Sequence, residues 1–179
     1  MEAAGIVPEI IDVPPIQVLK VTYPSGVTVD NGNDLTPTQV KDQPSVMWDA
    51  DENALYTLML VAPDVPEKIK DALHWLVVNI PGNDLSKGQS VMDFAGSGPP
   101  LGSGKHRYIF LVFKQSNPIE TNVYIKEKEI VGRFKSKVRD LIKEHNLSDL
   151  VAGNFYRAEY DDYVPILRAS LNLPPNLKL

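Results

Sequence analysis

The residues best suited to chemistry surround a glycine-rich loop that runs from Gly96 to Gly104. In this loop Gly96 and Gly98 precede Pro99 and Pro100, which stiffen the backbone and donate no hydrogen bond. Glycines let a ligand approach the main chain closely, and successive N–H groups of such a loop can form a concave anion site. The loop therefore favours a cradle for phosphate, although a solvated connection between two strands would show the same glycines.

Side chains that could complete an anion site stand at the ends of three apolar segments. His106 and Tyr108 open the segment after the loop and share one face of a strand. His74 opens another segment, and Asp64 and Pro66 form a rigid corner at the end of a third. Imidazole and phenol groups donate to phosphate oxygens, and a protonated histidine binds more strongly. The aspartate could orient an imidazole or accept from an ammonium group, while each histidine could equally be structural.

Two enzyme classes use the same residue types. Asp64, His74 and His106 are by type a two-histidine, one-carboxylate set that could hold a transition metal. Ser97 or Ser103 beside a histidine could be a nucleophile in acyl transfer, but a flexible glycine-serine loop is a poor place to fix one. We therefore favour a protein that binds its ligand without catalysis.

Several ordered stretches carry a family resemblance. They read LTPTQV from Leu35, HWLVVN from His74, GSGPP from Gly96, GKHRY from Gly104 and AEYDDYVP from Ala158. Together they resemble the phosphatidylethanolamine-binding protein family over nearly the whole chain.

The resemblance implies a non-enzymatic protein without a cofactor. It would bind phosphate or phosphoethanolamine head groups and modulate signalling kinases or serine proteases. The ligand-binding residues that it implies are Asp64, Pro66, His74, Gly96, Gly98, Pro99, Pro100, His106 and Tyr108.

The chain departs from the family pattern at three positions. Ala62 replaces the first acid of the corner, and Arg168 replaces an aromatic residue of several relatives near the end. The segment that follows the corner is shortened to Glu67–Leu73, and within it Ala72 stands where an aromatic residue would fall. We expect the anion site to persist with altered head-group selectivity. The alternative is an interaction or scaffold protein whose pocket has degenerated.

The periodicity of apolar residues indicates the elements that hold these side chains. Leu55–Ala62, His74–Ile80 and Tyr108–Phe113 are apolar runs of strand length, which predicts burial on both faces. Apolar residues at helical spacing predict a helix over Glu129–His145, and a proline favours a final helix from Pro165 to Leu171. This segregation favours a mostly β or α+β fold with an antiparallel sheet.

The resemblance implies a large central sheet packed on a smaller sheet, with flanking helices. The length of 179 residues predicts one domain over residues 1–179.

Composition narrows the possible partners and compartments. The net charge of −5 argues against general nucleic-acid binding. No apolar run approaches the roughly 20 residues needed to span a bilayer, so we expect at most peripheral membrane contact. The basic stretch from Lys126 to Lys143 indicates the solvated face of a helix, or else a patch for an acidic partner. The absence of cysteine fits a reducing compartment, and the first residues lack the features of a secretory signal, so we expect a cytoplasmic protein.

Overall fold

The computed structural model describes residues 1–65, 71–130, 132–134 and 137–171. Within these residues the fold is dominated by β-strands, as predicted. The strands are β1 Gln17–Val18, β2 Lys20–Thr22, β3 Asn33–Asp34, β4 Ser45–Met47, β5 Leu55–Ala62, β6 Ala72–Pro81, β7 Gln89–Met92, β8 His106–Gln115 and β9 Asp149–Ala158.

The described strands form one large sheet and one small sheet. The large sheet has the order β1-β9-β8-β5-β6-β7, and β3 also pairs with β9. The long strands pair in antiparallel fashion, whereas β1 and β3 run parallel to β9. Strands β2 and β4 form the small antiparallel sheet. The predicted antiparallel-rich central sheet with a smaller partner is therefore confirmed.

The central sheet is buried on both faces. One face packs against the small sheet through residues such as Val21, Leu58 and Tyr156. The other face is covered by the first residues of the chain and by residues 138–150, through side chains such as Ile6 and Leu111. Apolar burial on two sides explains why the three long central strands are nearly continuous hydrophobic runs. The prediction of buried strands from those runs is confirmed.

Strand β9, late in the sequence, is hydrogen-bonded to segments near the beginning of the chain. The Asn154 amide donates to the main-chain oxygens of Leu19 at 2.9 Å and Val29 at 3.0 Å. Its side-chain oxygen accepts from the main-chain N–H of Asn31 at 2.9 Å. This buried asparagine thus satisfies backbone groups of segments that lie more than a hundred residues earlier.

Helices are short within the described residues. They are the 3-10 turns Glu2–Ala4 and Leu85–Lys87 and the helices α1 Ile6–Glu9, α2 Val138–Glu144 and α3 Val164–Ser170. The final helix begins with Pro165 in its first turn, as predicted.

The predicted helix over Glu129–His145 is wrong in its first part. Residues 129 and 130 are not helical, residues 132–134 form a turn, and the described helix starts only at Val138. Gly132 has a φ of 108°, which is outside the helical region. The backbone of Arg133 pairs with Leu73 at the start of β6, at 2.8 Å. This tertiary contact and the glycine override the helical pattern of the sequence.

Three strand ends meet at one edge of the central sheet. The last residue of β5, Ala62, pairs with the first residue of β6, Ala72. Strand β8 begins at His106 on the other side of β5, because β5 and β8 are also antiparallel neighbours. The strand register therefore brings Asp64, His74 and His106 to the same edge of the sheet. The candidate site lies at this edge.

Candidate anion-binding site

A cavity of about 130 Å³ lies at this edge of the sheet. Its walls come from the ends of β5, β6 and β8, the glycine loop, residues 127, 130, 133 and 134, and helix α3. Pro66 and most of the shortened segment fall outside the described residues. The other predicted site residues all line the cavity: Asp64, His74, Gly96, Gly98, Pro99, Pro100, His106 and Tyr108.

His74 is held by a backbone oxygen and an aromatic ring. Its Nδ1 lies 3.0 Å from the carbonyl oxygen of Ala95, and its ring meets Tyr108 edge-on at a centroid distance of 5.2 Å. A carbonyl only accepts, so Nδ1 carries the proton and Nε2 has a free lone pair in the neutral ring. Burial lowers the pKa of His74 to about 4. The imidazole is therefore neutral at pH 7.

His106 is hydrogen-bonded to a serine of the glycine loop. Its Nε2 lies 2.7 Å from the Ser103 hydroxyl, which also lies 2.7 Å from the carbonyl oxygen of Pro100. The hydroxyl has one proton and donates it to the carbonyl, so the His106 Nε2–H donates to the hydroxyl. Burial lowers the pKa of His106, against the opposing effect of the Asp64 charge. The lowered pKa favours the neutral form of His106 in the unliganded pocket at pH 7.

Asp64 contacts an arginine rather than an imidazole. The main-chain N–H of Arg107 donates to its carboxylate at 2.7 Å, and the guanidinium donates at 2.6 Å, 3.0 Å and 3.2 Å. These contacts with Arg107 keep the pKa of Asp64 below its ordinary value, although burial opposes them. Both oxygens are occupied, so the suggested role in orienting a histidine is not seen. Arg107 was not predicted as the partner of this carboxylate.

Tyr108 forms part of a buried aromatic stack. Its ring is parallel to that of Tyr156, with centroids 5.1 Å apart. The Tyr156 hydroxyl lies 2.6 Å from the hydroxyl of Ser97, a loop residue that is 1% exposed. Burial raises the pKa of both phenols, so they stay protonated at neutral pH. The stack fixes the wall of the cavity behind His74.

Two glycines of the loop pack against protein rather than open space. A Cβ at Gly96 would meet the backbone of Lys41 at 3.2 Å, and one at Gly98 would meet the Leu167 side chain at 3.1 Å. Such spacing is tight for any side chain larger than hydrogen. The glycines therefore let the loop lie close to its neighbours, which brings Pro99 and Pro100 to the cavity.

Two buried arginines in the cavity wall were not predicted as site residues. Arg133 is 5% exposed and Arg168 is 4% exposed. The Arg133 guanidinium donates to the main-chain oxygens of residues 73, 74, 93, 126, 127 and 129 at 2.8–3.4 Å. Burial lowers the pKa of Arg133, but from so high a value that the charge remains. The expectation of a solvated helix face is wrong for Arg133.

The family relationship that the sequence motifs indicate is decided by a match to a protein-family model. The sequence model described as "Phosphatidylethanolamine-binding protein" matches residues 25–157, about three quarters of the chain. The chain belongs to the phosphatidylethanolamine-binding protein family. The resemblance on which the predicted fold and site residues were partly based is thereby confirmed.

Three relatives show how much of the family fold the chain shares. It is 35% identical over 178 residues to the putative odorant-binding protein A5 of Drosophila melanogaster, covering 96% of this chain and 84% of that protein. It is 38% identical over 165 residues to a 26 kDa secreted antigen of Toxocara canis, covering 88% of this chain and 62% of the antigen. The solution structure of CG7054 is similar with a TM-score of 0.77 and 45% identity, covering 93% of this chain and 97% of that one.

These relatives correct the predicted compartment. One is named an odorant-binding protein and another a secreted antigen. The prediction of a cytoplasmic protein, which rested on the lack of cysteine and of an evident signal, is therefore wrong. A family member whose core is large and buried needs no disulfide for stability, so the absence of cysteine says little about its compartment. Among the described residues, no helix is long and apolar enough to cross a membrane.

The described residues show neither the metal site nor the serine nucleophile that the two enzyme hypotheses would need. Within the described ranges no group of three histidine, cysteine or acidic residues could hold a metal, and the Asp64 carboxylate is taken by Arg107. The hydroxyl of Ser97 is buried against Tyr156. Ser103 accepts from His106 instead of losing a proton to it. Two of the three relatives reported above are named for binding or antigenicity rather than for catalysis.

Proposed function

We propose that this protein binds a small phosphate-bearing ligand without catalysis in the cavity at the sheet edge. The observation that carries the proposal is the convergence of His74, His106 and Tyr108 with the loop at residues 96–100 in one cavity. These residues come from separate strands and a loop, and membership of the family supports their use for a phosphorylated ligand.

The charges around the cavity support an anionic guest. The negative charge of Asp64 is balanced by Arg107 at 2.6 Å. The buried Arg133 donates to uncharged carbonyl oxygens, and its positive charge attracts an anion through a medium of low dielectric, against the nearby carboxylates of Asp93, Glu127 and Glu129. Arg168 is also buried in the wall of the cavity.

Calorimetric titration tests the proposal. Inorganic phosphate and phosphoethanolamine are titrated into the wild type, His106→Ala and His145→Ala. His145 is the matched control, because it lies at the end of α2 and does not line the cavity. We expect His106→Ala to weaken phosphate binding about tenfold or more, since a bound anion favours the protonated imidazole and alanine cannot supply its charge-assisted hydrogen bond. The proposal would be falsified if the two variants bound phosphate alike.

The same titration addresses the alternative of a degenerate pocket in a scaffold protein. A binding protein gains thermal stability as the phosphate concentration increases, because the ligand binds only the folded state. A scaffold with a degenerate pocket shows an intact fold and no such gain. The presence of the cavity and of all described site residues favours the first result.

We infer further that the ligand is met outside the cell, given the relatives that are named odorant-binding protein and secreted antigen. The predicted modulation of a kinase or serine protease would use the same donors, with a phosphorylated side chain of the partner in place of the small ligand. An extracellular location favours a protease over a signalling kinase. Competition between phosphate and a phosphoserine peptide would show whether one site serves both.

A further inference from the structure

Two small residues pair with each other in the wall of the cavity. Ala62 ends β5 and Ala72 begins β6, and the two are paired in register. They are 3% and 4% exposed, and both line the cavity. Paired positions on one face of a sheet lie about 5 Å apart, so two methyl groups together leave space that larger side chains would fill.

Apolar side chains continue from this pair along the cavity wall. We call this part of the wall the alanine niche, and it consists of Ala62, Ala72, Phe134 and Leu167. Phe134 also packs against the core cluster that contains both alanines. An apolar surface next to anion-binding groups favours a ligand with an apolar part next to its charge.

The cavity offers little to a ligand that carries an ammonium group. Both oxygens of Asp64 already accept from Arg107. The carboxylate of Glu127 also lines the cavity, but this residue is exposed and would meet an ammonium in water. Exposed ion pairs contribute little binding free energy. A zwitterionic head group therefore gains little over phosphate alone.

We propose that the cavity takes a phosphate monoester with a compact apolar group, such as a phenyl or short alkyl group, and that the alanine niche receives that group. The inference rests on the proposed function, since the phosphate is bound by the histidines and the loop. It adds a specificity determinant, which is the pair formed by Ala62 and Ala72.

The experiment compares three ligands by calorimetry: inorganic phosphate, phosphoethanolamine and phenyl phosphate. Burial of a ring removes apolar surface from water, so we expect phenyl phosphate to bind about tenfold or more tightly than inorganic phosphate. Phosphoethanolamine should bind about as well as inorganic phosphate. Equal affinities for phenyl phosphate and inorganic phosphate would overturn the inference.

The substitution Ala72→Phe tests the niche itself. It should abolish the advantage of phenyl phosphate over inorganic phosphate when both are measured on the same variant. Ala72→Val fills less of the space and should remove part of the advantage, which keeps the test decisive if the larger variant fails to fold. Phenyl phosphate that keeps its full advantage in a folded variant would place the ring elsewhere and refute the niche.

The two proposals fail in different ways. If inorganic phosphate does not bind the wild type, the proposed anion site is wrong. If inorganic phosphate binds and is weakened by His106→Ala, while the phenyl group brings no gain, only the alanine niche is wrong.

Discussion

Arg107 surrounds the carboxylate of Asp64 with its main-chain N–H and its guanidinium, at distances of 2.6–3.2 Å. The same guanidinium donates to the carbonyl oxygen of Ala4 at 2.9 Å and to the carboxylate of Glu9 at 3.0 Å. One side chain therefore joins the corner of the cavity to the first helical segment. Replacement of Arg107 would therefore remove hydrogen bonds both at the corner of the cavity and at the first helical segment.

Asp64→Asn should destabilise the protein through this arginine. The amide keeps the shape of the carboxylate but leaves a partly buried cation without its main counter-charge. We expect the free energy of unfolding to decrease by about 2 kcal/mol, which is less than for a fully buried pair because both side chains keep some contact with water. Urea denaturation measures the change.

The control for that variant is Lys114→Gln. Lys114 pairs with Asp51 at 3.1 Å on the surface, far from the cavity residues. Its replacement should leave the free energy of unfolding nearly unchanged. Equal losses in both variants would contradict the special role given to the pair of Asp64 and Arg107.

The neutral His74 should make the protein less stable in acid. Its pKa is about 4 in the folded state and about 6.5 when exposed, so the unfolded chain takes up the proton first as the pH decreases. Stability from this residue is complete above pH 6.5 and is lost as the pH decreases from 6.5 towards 4. The loss is about 3 kcal/mol at most.

Urea denaturation of the wild type and His74→Asn over this pH range checks the prediction. Asparagine can still donate to the Ala95 carbonyl but does not titrate. The variant should show a smaller decrease in stability between pH 6.5 and pH 4 than the wild type. Parallel pH profiles for the two proteins would show that His74 titrates normally.

Sulfate should bind more tightly as the pH decreases. In the unliganded pocket both imidazoles are neutral at pH 7, and a bound anion favours their protonated forms. Sulfate has no proton of its own near neutral pH, so any change in its affinity reports the protein. Calorimetry between pH 7.5 and pH 5.5 should show the affinity increase, and a flat profile would assign the attraction to the buried arginines alone.

Arg133→Met should both destabilise the protein and weaken the binding of phosphate. The variant removes the donors to carbonyl oxygens around the cavity, including those of Leu73, His74 and Asp93. We expect a loss of about 3 kcal/mol in the free energy of unfolding.

Arg133→Lys separates charge from geometry. It keeps the positive charge but cannot reach the same set of acceptors. If the charge attracts the anion, the lysine variant should retain more of the phosphate affinity than the methionine variant while remaining less stable than the wild type. Unchanged phosphate affinity in both variants would limit Arg133 to a structural role.

The long strands and most site residues could be predicted because local signals and the family motifs agreed. The apolar runs of β5, β6 and β8 are buried on both faces in the structure. His74, His106 and Tyr108 lie where these strands begin, so the antiparallel register brings them to one edge. Whether they bind the ligand is still a prediction.

The features that were missed depend on contacts between distant segments. Nothing local marks Arg107 as the partner of Asp64, since 43 residues separate them. The amphipathic pattern after Glu129 indicated a helix, but Gly132 and the contacts of Arg133 impose a turn there. The tautomers of the histidines also follow from loop carbonyls that only tertiary structure places beside them.

The place of β9 in the sheet has a consequence for synthesis on the ribosome. This strand is the last of the described strands in the sequence, yet it pairs with β1, β3 and β8, and Asn154 satisfies backbone groups of the first 31 residues. The nascent chain therefore carries unpaired edges in its amino-terminal segments until residue 158 has left the exit tunnel. Until then these segments are open to chaperones and to wrong partners.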